Sequence, residues 1–372
     1  MKIRENTCED DIANTIMDLF FELIQIAVGI RKIFSRNPSA KEWEYLYEFA
    51  ERQAILGICF SAVKRLEKQK ASLSTVLFMK WLAVTAKIQQ CNEMMIQRCR
   101  ELQVLLKSAG FQSCILKGQD YARYYNNLEL LRQAGDIDIW VNNRNEVIEF
   151  ARRNNIENDH INIKNSDIHF YSDVKVEVHF RPSWMYFPIY DKRLYRWISQ
   201  YSFDEFETKN GMVVPPIDFS LVYAIIHIYR HFFDEGIGLR QIVDYYFILC
   251  SSSPENREKA METLKWLGLR SATAGIMWVM NLCFGSERFE KYQLCLPDEK
   301  IGKFLLTEIM IGGNFGQFDK RNYLLFKSNR WKKGVIRLKR NARYLRYFPL
   351  EVISAPLWKL WHYCWRKQKG YL

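Results

Sequence analysis

The sequence contains no Cys-x-x-Cys pair among its nine cysteines, which argues against a zinc ribbon or a disulfide framework. Cys59, Cys114, Cys250 and Cys283 sit in apolar runs instead, as reduced, packed thiols of a cytosolic protein do. An uninterrupted apolar run of membrane-spanning length is missing too. The best stretch, Ile12 to Ile33, is broken by Asp18, Glu22 and Arg31. The opening, MKIRENTCEDD, is acidic where a signal peptide needs its apolar core. The expected location is therefore the cytoplasm, with the tail as the region suited to a membrane surface. Charge of either sign is scarce as an excess over most of the chain, since residues 1–329 hold 42 basic and 41 acidic side chains. The net charge of +12 belongs almost wholly to residues 330–372, where twelve Lys and Arg face one acid, Glu351.

What is present fits a soluble protein of 372 residues, long enough for two or three cores, with 48% hydrophobic, 26% charged and a high 15% aromatic content. Ile12, Ile16, Leu19, Leu23, Ile26, Ile30 and Ile33 make one apolar stripe on a long helix. Ser39 is placed to cap a second helix through Trp43, Leu46, Phe49 and Ala50. A third is expected from Thr75 to Ser108, stopping at Gly110 with Lys107 in its last turn. A mixed region starts at Phe111. There Cys114-Ile115-Leu116 reads as a buried strand running into Lys117-Gly118, followed by a helix-like segment from Gln119 to Leu131. Gly135 to Val141 alternates as a strand, and Asn143 is placed to cap a helix to about Arg153. Strands are expected at Ile161–Ile163, Ile168–Tyr171 and Val174–Phe180, the last two joined through Ser172-Asp173. Pro182, Pro188 and Pro215-Pro216 then lead out of the sheet. Helices are expected from Asp218, from Leu239, and over Glu255–Leu267, Ser271–Phe284 and Pro297–Ile311, with a glycine loop of no assigned role at 312–316. The predicted class is α+β. Residues 1–110 form a helical region, 111–216 a small mixed-sheet core, 217–329 a second helical domain and 330–372 a basic, aromatic tail.

The polar residues of the strands carry the chemistry. Asp136 and Asp138 share a strand face with Trp140, roughly 7 Å apart, and like charges at that spacing repel unless a cation or water intervenes. Lys175, Glu177 and His179 share another strand face, an arrangement that a half-exposed strand meeting water also explains. His227 and His231 stand one helical turn apart, but Ile228 occupies the position where a zincin needs Glu, so zinc is not indicated. Arg240 and Asp244 have the spacing of a helical salt bridge.

Strand, glycine turn, helix and then a strand bearing Asp-x-Asp resembles the core of the nucleotidyltransferase superfamily related to DNA polymerase β. More narrowly, Leu116-Lys117-Gly118 followed by Arg132-x-x-Gly135-Asp136-Ile137-Asp138-Ile139 resembles a bacterial nucleotidyltransferase family of largely uncharacterised members. Gly118-Gln119 stands where the superfamily usually has Gly-Ser or Gly-Gly, and Lys117 is the natural substitute for the missing hydroxyl. The resemblance implies transfer of a nucleoside monophosphate from a nucleoside triphosphate such as ATP to a hydroxyl acceptor. It implies two Mg²⁺ ions held by Asp136, Asp138 and a third carboxylate, Glu177, nearest the acceptor. Lys117, Gly118 and Gln119 would cradle the triphosphate, and Arg132 would neutralise leaving-group charge. His231 and Arg240 would bind the nucleotide as well, and His179, His227 and Asp244 would line the cleft wall. Two rival readings stand beside it: a catalytically silent nucleotide sensor or scaffold, and a membrane- or RNA-associated interaction protein whose tail carries the function.

In the tail, Val335, Leu338, Ala342 and Leu345 form a stripe surrounded by Arg337, Lys339, Arg340, Arg343 and Arg346. Ser354 is placed to cap a helix carrying Trp358, Trp361 and Trp365. This composition suits an anionic membrane surface, an RNA-binding surface, or a helix packed on the body with a solvated basic face. No protein partner is indicated.

Overall fold

The structure, a computed structural model, describes residues 3–66, 68–159, 161–322 and 339–369. Its first helix, α1 (Ile3–Ala27), buries Ile16, Leu19, Leu23 and Ile26, but it stops before Ile30 and Ile33. The chain turns at Gly29, whose φ of +82° suits glycine, and Ile33 lies exposed. Helix α2 (Ala40–Arg52) starts as expected: Ser39 accepts from the Glu42 amide and the Glu42 side chain accepts from the Ser39 amide. Helix α3 (Leu56–Arg65) was not anticipated, because its residues from Leu56 to Val63 are buried all round and leave no polar face to read. Helix α4 (Thr75–Ser108) has the expected bounds and is roughly 50 Å long. It runs from the N-terminal helices to the sheet.

The sheet is mixed and five-stranded, in the order β1-β2-β5-β4-β3. Strand β1 (Ser113–Leu116) is antiparallel to β2 (Ile137–Val141), and β2 is parallel to β5 (Val176–His179). On the far side β5 pairs antiparallel with β4 (Asn165–Ile168), which pairs with β3 (Asn158–Asp159). The outer strands are therefore displaced from the expected Ile161–Ile163 and Ile168–Tyr171. The turn between β4 and β5 spans residues 169–175 and is longer than a two-residue hairpin. The expected helix over Gln119–Leu131 divides into α5 (Gly118–Ala122) and a 3-10 turn, Asn126–Leu131, with Asn126 at a φ of +52°. Helix α6 (Arg144–Arg153) follows β2, but Asn143 makes no side-chain cap.

Both faces of the sheet are covered. Ile115, Ile137, Ile139, Val141, Val176 and Val178 pack against Met95, Cys99, Leu102 and Leu106 of α4, and against Val147 and Ala151 of α6. On the other face Trp140 lies 4.6 Å from the Phe203 ring and stacks at 6.1 Å with Phe219. The polar face expected around Trp140 is thus covered there by an aromatic wall, while Asp136 at the start of the strand stays partly exposed. After α7 (Pro188–Ile198), a hairpin of β6 (Glu207–Lys209) and β7 (Met212–Val214) turns at Asn210-Gly211. That hairpin is a further addition to the sequence reading.

Helices α8 (Ile217–Asp234), α9 (Leu239–Cys250), α10 (Pro254–Trp266), α11 (Arg270–Phe284) and α13 (Glu299–Gly312) complete the second helical region close to the expected bounds, with the short α12 (Ser286–Phe289) as an addition. They share one apolar core with α1, α2 and α3. The last helix, α14, spans Pro349–Gln368, so Ser354 lies inside it and is not its cap. Val335 and Leu338 of the expected tail stripe, with Arg337 beside them, lie outside the described residues, whereas Ala342 and Leu345 are both exposed, so the described part of that stripe is not a buried face. No described helix is long and apolar enough to cross a membrane.

Candidate active site

The site forms where β1, β2 and β5 end side by side. Leu116 pairs with Asp138 across β1 and β2, and Asp138 pairs with Glu177 across β2 and β5. Register alone therefore brings the second aspartate beside the glutamate. Because side chains alternate, His179 emerges on the same face of β5 as Glu177. The chain leaves β1 through Lys117, whose φ of +51° is costly for a residue with a Cβ. That strained backbone sends the Lys117 ammonium across the strand ends.

The contacts are short. Lys117 Nζ donates to Asp138 Oδ1 at 2.7 Å, and His179 Nε2 lies 2.7 Å from the same oxygen. His179 Nε2 is also 3.6 Å from Glu177 Oε1. Asp138 and His179 are buried, and Glu177 is partly open. Burial alone raises the Asp138 carboxyl, but the Lys117 charge and the His179 hydrogen bond outweigh it and hold Asp138 well below the usual carboxylate range. Asp136 has no such partners. Burial, and then the Asp138 charge, push it up to about 6 against the opposing pull of Lys117.

Among the described residues, Asp138, Glu177 and His179 are the group able to hold a metal ion, their ligand atoms all within 4.8 Å of one another. Two carboxylates and an imidazole suit a divalent cation, with Lys117 now occupying the charge position on Asp138. This set differs from the expected Asp136, Asp138 and Glu177. His179 stands in the closest cluster, where the sequence placed it only on the cleft wall. Its position two residues after Glu177 on one strand was the signal for it.

A second wall comes from α8 and α9. The His227 and His231 rings are 4.3 Å apart, and Phe315 lies 5.4 Å from His231 with the Arg240 guanidinium 5.4 Å from the Phe315 ring. Burial, then the neighbouring His231, Lys117 and Arg240, hold the His227 ring well below the usual imidazole range. Burial, then Arg132, lower Arg240 to about 10. Arg240 donates to the Gln133 carbonyl at 2.7 Å, while its Nε is buried with no hydrogen-bond partner among the described residues. The glycine loop that had no role in the sequence reading thus supplies the ring, Phe315, that supports this wall.

Three expected site residues have other surroundings. Asp244 does not pair with Arg240. It takes both Arg132 Nε at 2.6 Å and Arg132 Nη2 at 2.8 Å, and accepts from Tyr125 Oη at 2.6 Å. This buried fork fixes the segment before Asp136 to α9 and commits the Arg132 Nε and Nη2 donors to the fold. Gln119 turns away from the strand ends, its Nε2 3.6 Å from Met95 Sδ on α4, which leaves its backbone as the part nearest the turn. Asn92 of α4, unmarked in the sequence, donates to the Leu130 and Arg132 carbonyls, both at 2.7 Å, and ties the same segment from the other side.

A family model for uncharacterised nucleotidyltransferases matches residues 39–285, from α2 through the sheet to the end of α11. The chain belongs to this nucleotidyltransferase family. No curated protein matches the chain. The family match spans Lys117, Asp136, Asp138, Glu177, His179 and the α8–α9 helices, and leaves α1, α12, α13 and α14 outside it.

Proposed function

We propose that the protein transfers a nucleoside monophosphate from a nucleoside triphosphate to a hydroxyl acceptor, in the manner of the DNA polymerase β-like superfamily. The observation that carries this reading is the Lys117–Asp138–Glu177 cluster at the strand ends, with His179 and Asp136 beside it. Asp138, Glu177 and either Asp136 or His179 would hold Mg²⁺ or a similar divalent cation, with two ions as the expected complement. When bound, such ions neutralise charge on the phosphates and orient the attacking and leaving oxygens. For His179 Nε2 to act as a ligand its proton must reside on Nδ1, so His179 binds as the neutral ring.

The remaining work falls to the chain. Lys117 passes from Asp138 to the triphosphate oxygens when the substrate enters, exchanging one anionic partner for another. The backbone at Gly118, free of side-chain bulk, admits a phosphate closely. Glu177, partly open where Asp138 is buried, takes the proton of the acceptor hydroxyl. Arg240, with an unpaired buried Nε, binds phosphate charge from the α9 side. Most of the catalytic effect comes from this positioning and charge neutralisation.

The test is to incubate the full chain with labelled nucleoside triphosphates, Mg²⁺ and a cell extract, and to compare wild type with Asp138→Asn, Glu177→Gln and Arg240→Ala. Asp138→Asn should abolish label transfer and the rise in melting temperature given by Mg²⁺ with a non-hydrolysable triphosphate. Glu177→Gln should retain more of that rise than of turnover, and Arg240→Ala should weaken both. Equal ligand-induced stabilisation in wild type and Asp138→Asn would rule the reading out. Metal-dependent triphosphate binding with no transfer to any acceptor would favour the nucleotide sensor instead.

A further inference from the structure

The outward face of α14 is apolar in a way that packing on the body does not account for. Ile353, Leu357 and Leu360 are 61%, 68% and 64% exposed, and Leu350 and Trp361 are exposed beside them. Their spacing of three and four residues puts them on one stripe of a helix roughly 30 Å long. The inward face is already satisfied. Trp358 stacks on His362 at 4.8 Å and on Trp184 at 6.3 Å, and buried Glu351 accepts from the Tyr186 amide at 2.8 Å. The stripe also continues beyond α14. Across a groove of about 570 Å³, lined by Met185, Tyr195, Leu357 and Trp361, α7 presents exposed Ile189 and Tyr195.

Charge rims this apolar face on one side of zero only. Lys192 and Arg196 are exposed on α7, and Lys367 and Lys369 are exposed at the end of α14. The acids nearby are engaged: Asp191 holds Arg181 at 3.0 Å, and Glu351 is buried. We infer that the α7–α14 face is a docking surface for an anionic lipid bilayer. The helix lies in the interface with its leucines among the acyl chains and its cations at the headgroups.

The distribution of residue types favours lipid over the other occupants. A single-stranded RNA needs outward rings for stacking, whereas the outermost side chains here are mainly aliphatic and Trp358 and His362 are stacked inward. A second copy meeting this face to face would bring two cationic rims together, which repels.

The experiment is sedimentation of the full chain with vesicles of phosphatidylcholine alone and of phosphatidylcholine mixed with phosphatidylglycerol. Wild type should bind the anionic vesicles about tenfold more tightly, and high salt should remove most of that preference. The double variant Leu357→Gln, Leu360→Gln should lose about tenfold in binding at an unchanged melting temperature, since both side chains are exposed. Equal binding of the variant, equal binding to neutral vesicles, or no sedimentation would overturn the inference. Retention of a single-stranded RNA oligonucleotide without vesicle binding, or a wild-type dimer that the variant abolishes, would overturn it as well.

Discussion

Asp136 and Asp138 stand two residues apart at the start of one strand, yet their surroundings push them in opposite directions. Asp138 has Lys117 and His179 at 2.7 Å and stays ionised well below the ordinary range. Asp136 has burial and a neighbouring anion, and titrates near 6. Separation of this kind is how one site keeps a fixed anion beside a group that gains and loses a proton. It also has a thermodynamic sign. The folded-state value of Asp136 lies above the unfolded carboxylate value, so the native protein binds the extra proton between about pH 4 and 6. The stability this group contributes is complete below about pH 4 and is lost as the pH rises through 6. Asp136→Asn cannot ionise. Without divalent cations it should match wild type near pH 4 and exceed it by about 1–3 kcal/mol above pH 7 in denaturant melts. A variant no more stable than wild type at the higher pH would mean that Asp136 carries no charge penalty in the native protein.

At the scale of elements, the site depends on how the segment before β2 is held. Its 3-10 turn lies against α3, where Gly57 faces the Leu131 carbonyl so closely that a methyl group would overlap it. Gly57→Ala must therefore push the turn or α3 aside. We expect a loss of about 1–3 kcal/mol and a larger fall in nucleotide turnover than Lys64→Ala gives on the exposed side of the same helix. Unchanged stability would mean that the turn moves freely past α3. The periodic elements were legible in the sequence because each has one face to bury. The end of α4 was readable from Gly110 and from Lys107 in its last turn, and Asp136, Asp138 and Glu177 from period two. Helix α3 was not legible, because burial on every side erases the pattern. The Asn210-Gly211 hairpin carried a usable turn signal that the neighbouring prolines obscured. The Arg132–Asp244 fork joins residues 112 positions apart, and Arg240 offered Asp244 a nearer partner at helical spacing. Pairings of that kind follow from how helices pack, which local sequence does not specify.

Over the whole molecule, the two walls of the cleft belong to different parts of the chain and meet again through α14. Glu177 and His179 lie on β5, whose exit leads directly to Tyr186 and Phe187, and His227 and His231 lie on α8. Buried Glu351 accepts from the Tyr186 amide at 2.8 Å and the Phe187 amide at 3.3 Å, and pairs with Arg230 of α8 at 3.4 Å. Arg230 also holds Asp234 at 2.6 Å, so one guanidinium serves two carboxylates in a buried setting. Removing one member of such a network leaves the others desolvated without their partner, at a cost of about 3–5 kcal/mol. Glu351→Ala should therefore lower the melting temperature sharply, and truncation before Pro349 should do so further by uncovering Trp184. Glu351→Gln, which keeps an acceptor for the two amides, should lose less than Glu351→Ala. The inner and outer faces of α14 are separable by these measurements. Variants at Glu351 should alter stability, and variants at Leu357 and Leu360 should leave it unchanged. A truncated protein that melts with wild type would show that α14 holds neither wall, and that Glu351 is buried without contributing to the fold.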